Sequence, residues 1–482
     1  MYHREGWFFY CNALIEGPQK KTITKEMIIL LIISLATIDS IISQPELDFA
    51  QVGICVLDLE CDSVIYARNC RTLFIPASNM KIIATGAALC YLGPDFRFKT
   101  RLAMSGKIKR NKLDGDIILI GGGDPTFSTE HLEQFVSILD DTMIREITGD
   151  IILDDSYFSD ERLPIGWAWH YLDARYAPEI SALSVNKNCV AVQMKATQLG
   201  LPADVVLGPE TDYVKLVNNM ITKAGDDSII IFRKPDANIV YVDGGIGRGH
   251  AREIQVAVKD PSLFTGYLFK ERLTDVHIKN KGKIIKKKIN LFSTTDTSKK
   301  VSVIDSVLSQ PLIDILRETN NESVNLYAEA LLKTLGAYYY GEGSFDRGIH
   351  ILKRYLYKCG VDTAMVSLWD GSGLSRHNLI SPYFLSLVLR YMYHTEYSEL
   401  FYTLLPSSGE GTLEYRFKGF DEMMRAKTGT LHAVSCISGY LKVGEIDYCF
   451  SMMFNNFTSK TKKIEEIQEQ IIRALVQHLE QK

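Results

Sequence analysis

The sequence lacks the features that mark metalloproteins, nucleic-acid-binding proteins and multi-span membrane proteins. Its 482 residues contain nine cysteines and ten histidines, but neither a CxxC pair nor an HExxH helix, spacings typical of metal sites. Lysine and arginine (54) nearly balance aspartate and glutamate (58), so the net charge of −4 gives no general attraction for nucleic acid. Only one long apolar run occurs, which excludes a multi-span protein. We therefore predict no metal, no cofactor and no nucleic-acid partner.

The one apolar run, Met27–Ala36, follows a lysine-rich segment that ends at Lys25 and stops before Asp39. A run of about 10 residues is too short to cross a bilayer, which needs about 20, but it has the length of a signal-peptide core. Residues 1–36 are therefore predicted to be a signal peptide, and the mature protein to be exported to the periplasm, in the cell envelope. A buried helix of the folded domain is the alternative, and peripheral membrane association stays open.

Export permits disulfides, but the cysteine spacings fit no small disulfide framework. Four cysteines lie in apolar runs, where a cysteine packs as a small hydrophobic residue: Cys55, Cys90, Cys436 and Cys449. We predict no obligatory disulfide.

The order of predicted elements indicates one domain that is split by an insertion. Strand and helix signals come first, short β-like runs alternate with turns in the middle, and helices, two strands and a final helix follow. Because the flanking parts can pack into one layered domain, we predict an α/β (α+β) fold. Its two parts are residues 37–99 and 300–482, and residues 100–299 form inserted β-rich modules.

Ser78-Asn79-Met80-Lys81 is the first of three short motifs with candidate chemistry. It follows Pro76 at a predicted helix start, so Lys81 lies on the same helix face as Ser78. A serine hydroxyl is a poor nucleophile until a base takes its proton, and a lysine can be that base when burial and a nearby cation lower its pKa. A serine in the first turn also places its own N–H near a developing oxyanion. Alone, SxxK is weak evidence, and an ordinary helix start with a solvated lysine is the alternative.

The other two motifs are Ser323-Val324-Asn325 and Lys427-Thr428-Gly429-Thr430. The former precedes an apolar helix, where a plain N-cap would use the same residues. The latter enters a predicted strand, where a glycine lets an extended peptide substrate approach closely and the lysine and threonine can hold a terminal carboxylate. A turn with a solvated lysine is its alternative. Together and in this order the motifs are specific, because SxxK, an SDN-type triplet and KTG are the signature of penicillin-recognising serine enzymes.

Four longer segments extend these motifs. They are Pro76–Lys81 (PASxxK), Gly121–Pro125 (GGGDP), Asp370–Arg376 (DGSGLSR) and Leu405–Arg416, which reads LPSSGEGTLEYR and is similar to the family pattern LPxxGxxGTLxxR. In them the chain resembles the D-alanyl-D-alanine carboxypeptidase/endopeptidase family, the class C low-molecular-mass penicillin-binding proteins. The resemblance runs from about residue 50 to 455, and the insertion between the first two motifs has the length expected of that family.

The resemblance implies a penicillin-binding, transpeptidase-like domain of helices around an antiparallel sheet, with two small β-rich modules inserted after the helix of the first motif. It implies that Ser78 is the acylated nucleophile and Lys81 its base. It also implies that Ser323 passes the proton toward the leaving amine.

The resemblance assigns substrate binding to the remaining motif residues. Asn325 is expected to contact the peptide of the substrate, and Lys427 and Thr428 to recognise its carboxylate. Gly429 belongs to the same strand, and the N–H of Thr430 is expected to complete an oxyanion hole with the N–H of the nucleophile.

One segment departs from the family pattern. Gly166–Asp173 is similar to the GWxWDD segment, but His170 and Tyr171 stand where aspartates are expected. An acidic residue there is expected to touch the side-chain amine of the substrate, and Asp173 is a candidate to compensate. The specificity is therefore less well defined by the sequence than the reaction type.

The sequence predicts a serine D-Ala-D-Ala carboxypeptidase/DD-endopeptidase that acts on peptidoglycan stem peptides through an acyl-enzyme and is inhibited by β-lactams. One alternative is a β-lactamase, which differs in how fast the acyl-enzyme hydrolyses. Another is a non-catalytic cell-wall-binding protein on the same fold. The presence of both Ser78 and Lys81 argues against the latter, because a pure binder needs no nucleophile with its base.

Overall fold

The structure, a computed structural model, describes residues 36–289 and 301–481. The predicted signal peptide therefore lies outside the described residues except for its last position. Among the described residues, no helix is both long and apolar enough to cross a membrane. Residues 36–42 are helical, and Ile38 and Ile42 are buried in an apolar core.

The strands are named here in chain order. They are β1 (Gln51–Asp58), β2 (Val64–Arg68), β3 (Lys99–Ser105), β4 (Lys107–Lys109), β5 (Lys112–Asp114), β6 (Ile117–Ile120), β7 (Glu146–Ile147), β8 (Ile151–Asp154), β9 (Cys189–Lys195), β10 (Asp204–Gly208), β11 (Lys215–Asn218), β12 (Ile221–Lys223), β13 (Ser228–Arg233), β14 (Ile239–Gly247), β15 (Ala251–Ala257), β16 (Lys279–Asn280), β17 (Ile284–Lys286), β18 (Val301–Leu308), β19 (Met424–Leu431), β20 (Val434–Val443) and β21 (Ile446–Asn455).

The longer helices are named in the same way. They are α1 (Met80–Leu92), α2 (Thr129–Asp141), α3 (Pro261–Asp275), α4 (Leu312–Asn321), α5 (Asn325–Tyr340), α6 (Phe345–Lys358), α7 (Pro382–Tyr393), α8 (Ser398–Leu404) and α9 (Thr461–Leu479).

The described chain divides into two compact units, and each is built from separated stretches. The first unit comprises the described parts of Met1–Pro94, Leu316–Val324 and Ile349–Lys482; the second comprises Asp95–Ile315 and Asn325–Gly348. The predicted domain ranges, 37–99, 100–299 and 300–482, stay a prediction.

The first unit is built on an antiparallel sheet in the order β19-β20-β21-β1-β2. Strands from both ends of the chain meet at its centre, where Gln51 pairs with Asn455 and Asp58 with Tyr448. Successive strand residues point to opposite faces, so each face carries its own layer of helices. On one face α9 is buried against β1, β20 and β21; on the other, Tyr440 donates to the Leu389 carbonyl of α7 at 2.8 Å. The sheet is thus a rigid layer between helices.

The stripe of aliphatic residues on the last helix is part of this core. Ile464, Ile467, Ile471 and Leu475 recur at helical spacing on α9, and all four are fully buried. The side of the helix that carries Gln477 is exposed. These four side chains therefore pack against the sheet and are not available on the surface.

Among the described residues, the second unit holds four sheets that share a large apolar core, and a smaller buried cluster of Ala103, Ile118, Ile120 and Ile152 lies apart from it. Their strand orders are β10-β9-β15, then β11-β14-β12 with β13 paired to β14, then β16-β7-β5-β4, and β17-β8-β6-β3-β18. Leu119, Phe135, Val192, Val242 and Phe264, from different strands and helices, belong to the same buried cluster. Short strands of this kind need such a shared core because a lone two-stranded ribbon is marginally stable.

Replacing Ile471 with Ala tests the packing of α9. The substitution removes a fully buried side chain, so the free energy of unfolding should fall by about 2–5 kcal/mol. Gln477→Ala on the exposed side of the same helix is the matched control and should change it by no more than about 0.5 kcal/mol. Urea unfolding measures both, and equal losses would contradict the packing described here.

Candidate active site

Ser78 and Lys81 make a direct hydrogen bond at the start of α1. Ser78 lies in a short 3-10 turn, Ala77–Asn79, that leads into the helix. The Lys81 Nζ donates to Ser78 Oγ at 3.0 Å and to the Ser372 carbonyl oxygen at 2.9 Å. Lys81 is fully buried, whereas Ser78 is half-buried. This distance between the hydroxyl and the amine is within the range that direct proton transfer needs.

The turn that carries Ser78 is hydrogen-bonded to the sheet. Asn79 Nδ2 donates to Ser438 Oγ at 2.8 Å, and Ser438 Oγ lies 2.9 Å from Ser451 Oγ on the neighbouring strand. Gly429 of β19 faces the same turn, because a Cβ added there would lie 2.9 Å from the backbone nitrogen of Ser78. A glycine at this position therefore allows the strand and the serine turn to approach closely.

The KTGT motif lies on β19, the edge strand of the sheet in the first unit. β19 pairs along its length with β20, with Thr428 opposite Ile437 and Thr430 opposite Ser435. On its other edge, Arg425 forms an isolated bridge with Ser407 before the motif begins. An edge strand leaves one row of backbone groups for an added strand, such as an extended peptide. The motif thus provides an open strand edge next to the serine turn.

Lys427 is fully buried, and its Nζ donates to the Thr428 carbonyl oxygen at 3.0 Å. Burial lowers the pKa of Lys427 well below its usual range, and the positive charge of Lys81 lowers it further, while the carboxylate of Glu322 opposes the shift. An anion that enters beside Lys427 would favour its charged form. The electrostatics therefore suit a carboxylate ligand.

Ser323 follows the end of α4 and adopts a left-handed backbone conformation with φ of +56°. The end of that helix is tied to α1, because Asn320 Nδ2 donates to Thr85 Oγ1 at 3.2 Å. Thr85 Oγ1 in turn donates to the Lys81 carbonyl oxygen at 2.6 Å. The structure thus links the segment before Ser323 to the helix of the first motif.

Asn325 is the first residue of α5 and belongs to the second unit. Its side chain is buried, and Nδ2 donates to the carbonyl oxygen of Tyr176 at 2.7 Å. The loop before β9 therefore fixes the orientation of the Asn325 amide.

Sequence reasoning singled out the Asp370–Arg376 segment as a family motif but gave it no role. Asp370 is fully buried and accepts hydrogen bonds from the Gly373 and Ser375 N–H groups at 2.8 and 2.6 Å. Asn378 Nδ2 donates to the same carboxylate at 2.7 Å. These hydrogen bonds hold the loop in a conformation in which the Ser372 carbonyl oxygen accepts from Lys81 Nζ. The DGSG pattern is the signal that pointed to this loop.

Gly373 brings this loop against the serine turn. It has a φ of +84°, and an added Cβ would lie 1.8 Å from the Ala77 carbonyl oxygen. Both the backbone conformation and the close approach require glycine.

The segment that departs from the family pattern presents aromatic rings. Trp169 is 77% exposed, and the rings of His170 and Tyr171 lie 4.3 Å apart. The Asp173 carboxylate accepts from the Arg233 N–H at 3.2 Å, so it is engaged within the protein. The segment offers an aromatic surface at the positions where the family pattern has aspartates.

Within the described ranges, no group of three or more His, Cys, Asp or Glu side chains is arranged to hold a metal ion. The eight described cysteines have free thiols, and Cys55, Cys436 and Cys449 are buried.

Comparison with known proteins defines the class. The sequence model of the D-Ala-D-Ala carboxypeptidase 3 (S13) family matches residues 34–478. The D-alanyl-D-alanine carboxypeptidase of Actinomadura sp. (strain R39) is 32% identical over 435 residues, which cover 87% of this chain and 80% of that protein. The D-alanyl-D-alanine carboxypeptidase DacB of Haemophilus influenzae is 26% identical over 439 residues, 87% of this chain and 89% of that protein.

A solved structure shows the fold. Penicillin binding protein 4 (dacB) from Haemophilus influenzae superposes with a TM-score of 0.79 at 24% identity, over 92% of this chain and 99% of that one. The chain belongs to the D-Ala-D-Ala carboxypeptidase 3 (S13) family. The predicted family, the mixed α/β fold class and the activity as a serine-type D-Ala-D-Ala carboxypeptidase are confirmed.

Replacing Gly373 with Ala tests the contact between the DGSG loop and the serine turn. The added Cβ would displace Ala77, and a shift of this size next to Ser78 should slow acylation by a β-lactam at least about tenfold. Gly360→Ala is the matched control, because Gly360 has nearly the same φ, +82°, but nothing within 4 Å of an added Cβ. Stopped-flow acylation with a chromogenic β-lactam measures both. Equal rates in the two variants would show that the loop does not position Ser78.

Proposed function

We propose that the D-Ala-D-Ala carboxypeptidase activity of this chain proceeds through an acyl-enzyme on Ser78. The observation that supports this most directly is the 3.0 Å contact between Lys81 Nζ and Ser78 Oγ, made by a fully buried lysine. A buried amine close to a second cation favours its neutral form, which can take the proton of the serine.

In the acylation step, Lys81 removes the hydroxyl proton while Ser78 Oγ attacks the carbonyl carbon of the terminal D-Ala-D-Ala bond. The oxyanion that forms is held by the N–H groups of Ser78 and Thr430. Ser323 passes the proton to the nitrogen of the leaving D-alanine, so the C–N bond breaks and an ester bond to Ser78 remains. Water then hydrolyses the ester and restores the free serine.

Substrate recognition is assigned to the same motifs. The buried charge of Lys427 and the hydroxyl of Thr428 bind the terminal carboxylate, and Gly429 allows the peptide to lie along β19. Asn325 contacts the peptide of the substrate, by its position in the SxN motif. The same chemistry cuts a D-Ala cross-link when the leaving group is the amine of a neighbouring stem peptide.

The substrates we propose are the stem peptides of peptidoglycan, with β-lactams as inhibitors that acylate the same serine. Haemophilus influenzae penicillin binding protein 4 has been solved in complex with a β-lactam. Action on peptidoglycan requires an exported protein, so we propose a location in the cell envelope, in the periplasm. A β-lactamase would share the acylation step and differ in rapid hydrolysis of the acylated serine.

Replacing Ser78 with Ala tests the nucleophile. Release of D-alanine from a stem pentapeptide should fall to the background rate, because the substitution removes the hydroxyl that contacts Lys81 Nζ. Ser137→Ala on the exposed surface of α2 is the matched control and should leave release unchanged. A coupled D-alanine assay measures turnover, and a melting curve checks that both variants fold. Turnover by folded Ser78→Ala would remove Ser78 from this role.

Replacing Lys427 with Ala tests carboxylate recognition. Loss of a buried charge partner should lower kcat/KM for peptides with a free C-terminus at least about 30-fold, with a much smaller effect on peptides that carry a C-terminal amide. Lys442→Ala on the exposed side of β20 is the control.

The pH dependence of KM provides a second test of the role of Lys427. The pKa of Lys427 is lowered, so its charge is lost at a lower pH than that of an ordinary lysine. The KM of the wild type for free-carboxylate peptides should therefore rise as the pH is raised through this pKa, and the KM of Lys427→Ala should not. A pH-independent KM in the wild type would contradict the assignment.

A further inference from the structure

Two cysteine thiols lie in contact on the sheet of the first unit. Cys55 is in the centre of β1 and is fully buried, whereas Cys70 follows the end of β2 and is half-buried. The two thiols are hydrogen-bonded to each other. None of the steps proposed above uses either cysteine, so the contact belongs to a different property of the chain.

The backbone around Cys70 is fixed on both sides. Asn69 has a left-handed conformation with φ of +45°, which turns the chain sharply after β2. Its Nδ2 ties this turn to β1, because it donates to the Val52 carbonyl oxygen at 2.9 Å. The Cys70 carbonyl oxygen accepts from the N–H of Tyr383, the second residue of α7, at 2.9 Å. These bonds hold Cys70 next to the strand that carries Cys55.

A third cysteine lies nearby but is engaged with α7. Cys449 of β21 is on the same face of the sheet as Cys55, because it pairs with Leu57, two residues further along β1. Its Sγ donates to the Ser386 carbonyl oxygen at 3.6 Å. Cys449 is also fully buried, so a reagent in solution reaches Cys70 first.

The more exposed thiol of the pair is also the more acidic one. The hydrogen bond from the Cys55 thiol lowers the pKa of Cys70 to about 7, and the positive charge of Arg71 lowers it further, while burial opposes the shift. The Arg71 guanidinium is held over the Tyr383 ring, 4.4 Å from its centre. The contact with Cys70 and burial raise the pKa of Cys55 well above its ordinary value. At neutral pH Cys70 is therefore largely the thiolate and Cys55 the thiol.

An accessible, acidic thiol beside a second thiol that can resolve its products is typical of redox-active cysteine pairs. A thiolate attacks a disulfide most effectively when its pKa lies near the ambient pH, as that of Cys70 does. The cell envelope, proposed above as the location, is a compartment in which disulfides form and persist.

We propose that Cys70 and Cys55 form a thiol–disulfide exchange pair that is oxidised by a small disulfide such as oxidised glutathione. The Cys70 thiolate attacks one sulfur of the small disulfide, so a mixed disulfide forms and a small thiolate leaves. That thiolate takes the proton of Cys55, whose sulfur then attacks Cys70 Sγ and releases the second small thiolate. The pair loses two electrons, and the small disulfide is reduced to two thiols.

The product bond would join β1 to the turn that leads into the Ser78 segment. The Phe74 N–H donates to the Ile380 carbonyl oxygen at 3.0 Å, and the Ile75 N–H to Asn455 Oδ1 at 2.7 Å, so this segment is already tied to its surroundings. The bond would therefore secure a segment that is folded in the reduced protein. The inference does not depend on the reaction at Ser78.

Oxidation of the folded wild-type chain tests the pair directly. The reduced protein is incubated at about pH 7 with an excess of oxidised glutathione, quenched with acid and analysed by peptide mapping. Cys55 and Cys70 should be found joined by a disulfide, with the loss of two hydrogen atoms. Exposed Cys61 is the internal control, because its hydrogen-bond partner is the Ser63 hydroxyl, which cannot displace glutathione.

Cys55→Ala tests the buried thiol. Glutathione should then stay on Cys70 as a mixed disulfide. Loss of the hydrogen-bond donor should also raise the pKa of Cys70, so its alkylation by iodoacetamide should reach half of the maximal rate at a higher pH than in the wild type, where the midpoint should be about 7. Cys436→Ala, which removes another buried thiol from the same sheet, is the matched control and should change neither result. Melting curves check that both variants fold.

The outcomes separate this inference from the proposed function. A lasting glutathione adduct on Cys70 of the folded wild type overturns the inference, and so does a Cys70 that stays unmodified while Cys61 reacts. A disulfide from Cys55 to Cys449 would overturn the assignment of the pair. An alkylation midpoint that Cys55→Ala leaves unchanged would remove the contact on which the pair rests. None of these results bears on D-alanine release, and absent release would leave the thiol measurements as they are.

Discussion

The buried amine of Lys81, held between Ser78 Oγ and the Ser372 carbonyl, is the interaction on which the rest of the site depends. A buried amine is costly to keep charged because it is removed from water. The position of Lys81 Nζ therefore depends on a second hydrogen-bond acceptor besides Ser78 Oγ and on rigid surroundings. The sheet supplies rigidity through Asn79, and the DGSG loop supplies the acceptor through Asp370. The contact between Lys81 and Ser78 therefore depends on packing as much as on the motif itself.

The sheet explains why the first and third motifs lie close together although a long insertion separates them in sequence. β1 and β2 come before the first motif, and β19 to β21 come from the end of the chain, yet all five lie in one antiparallel sheet. The first motif starts on the helix after β2, and the third lies on the edge strand β19. Strand pairing therefore brings Ser78 and Gly429 close together, although the insertion separates them in sequence.

The sequence alone was enough for the fold class and the family, because three motifs occur together in a specific order and four longer segments resemble that family. The aliphatic stripe that contains Ile471 was also predictable as core from its period. The role of Asp370 was not, since it acts through backbone N–H groups whose positions depend on tertiary structure. The contact of Asn325 with the Tyr176 carbonyl joins residues far apart in sequence, which no local pattern reveals.

The most direct test of the central claim is the intact mass of the wild-type protein after incubation with benzylpenicillin, followed by peptide mapping. The account predicts one adduct per chain, located on Ser78. An adduct on a different residue would contradict it, and so would an unmodified protein with the drug left intact. Rapid destruction of the drug without a lasting adduct would identify a β-lactamase instead.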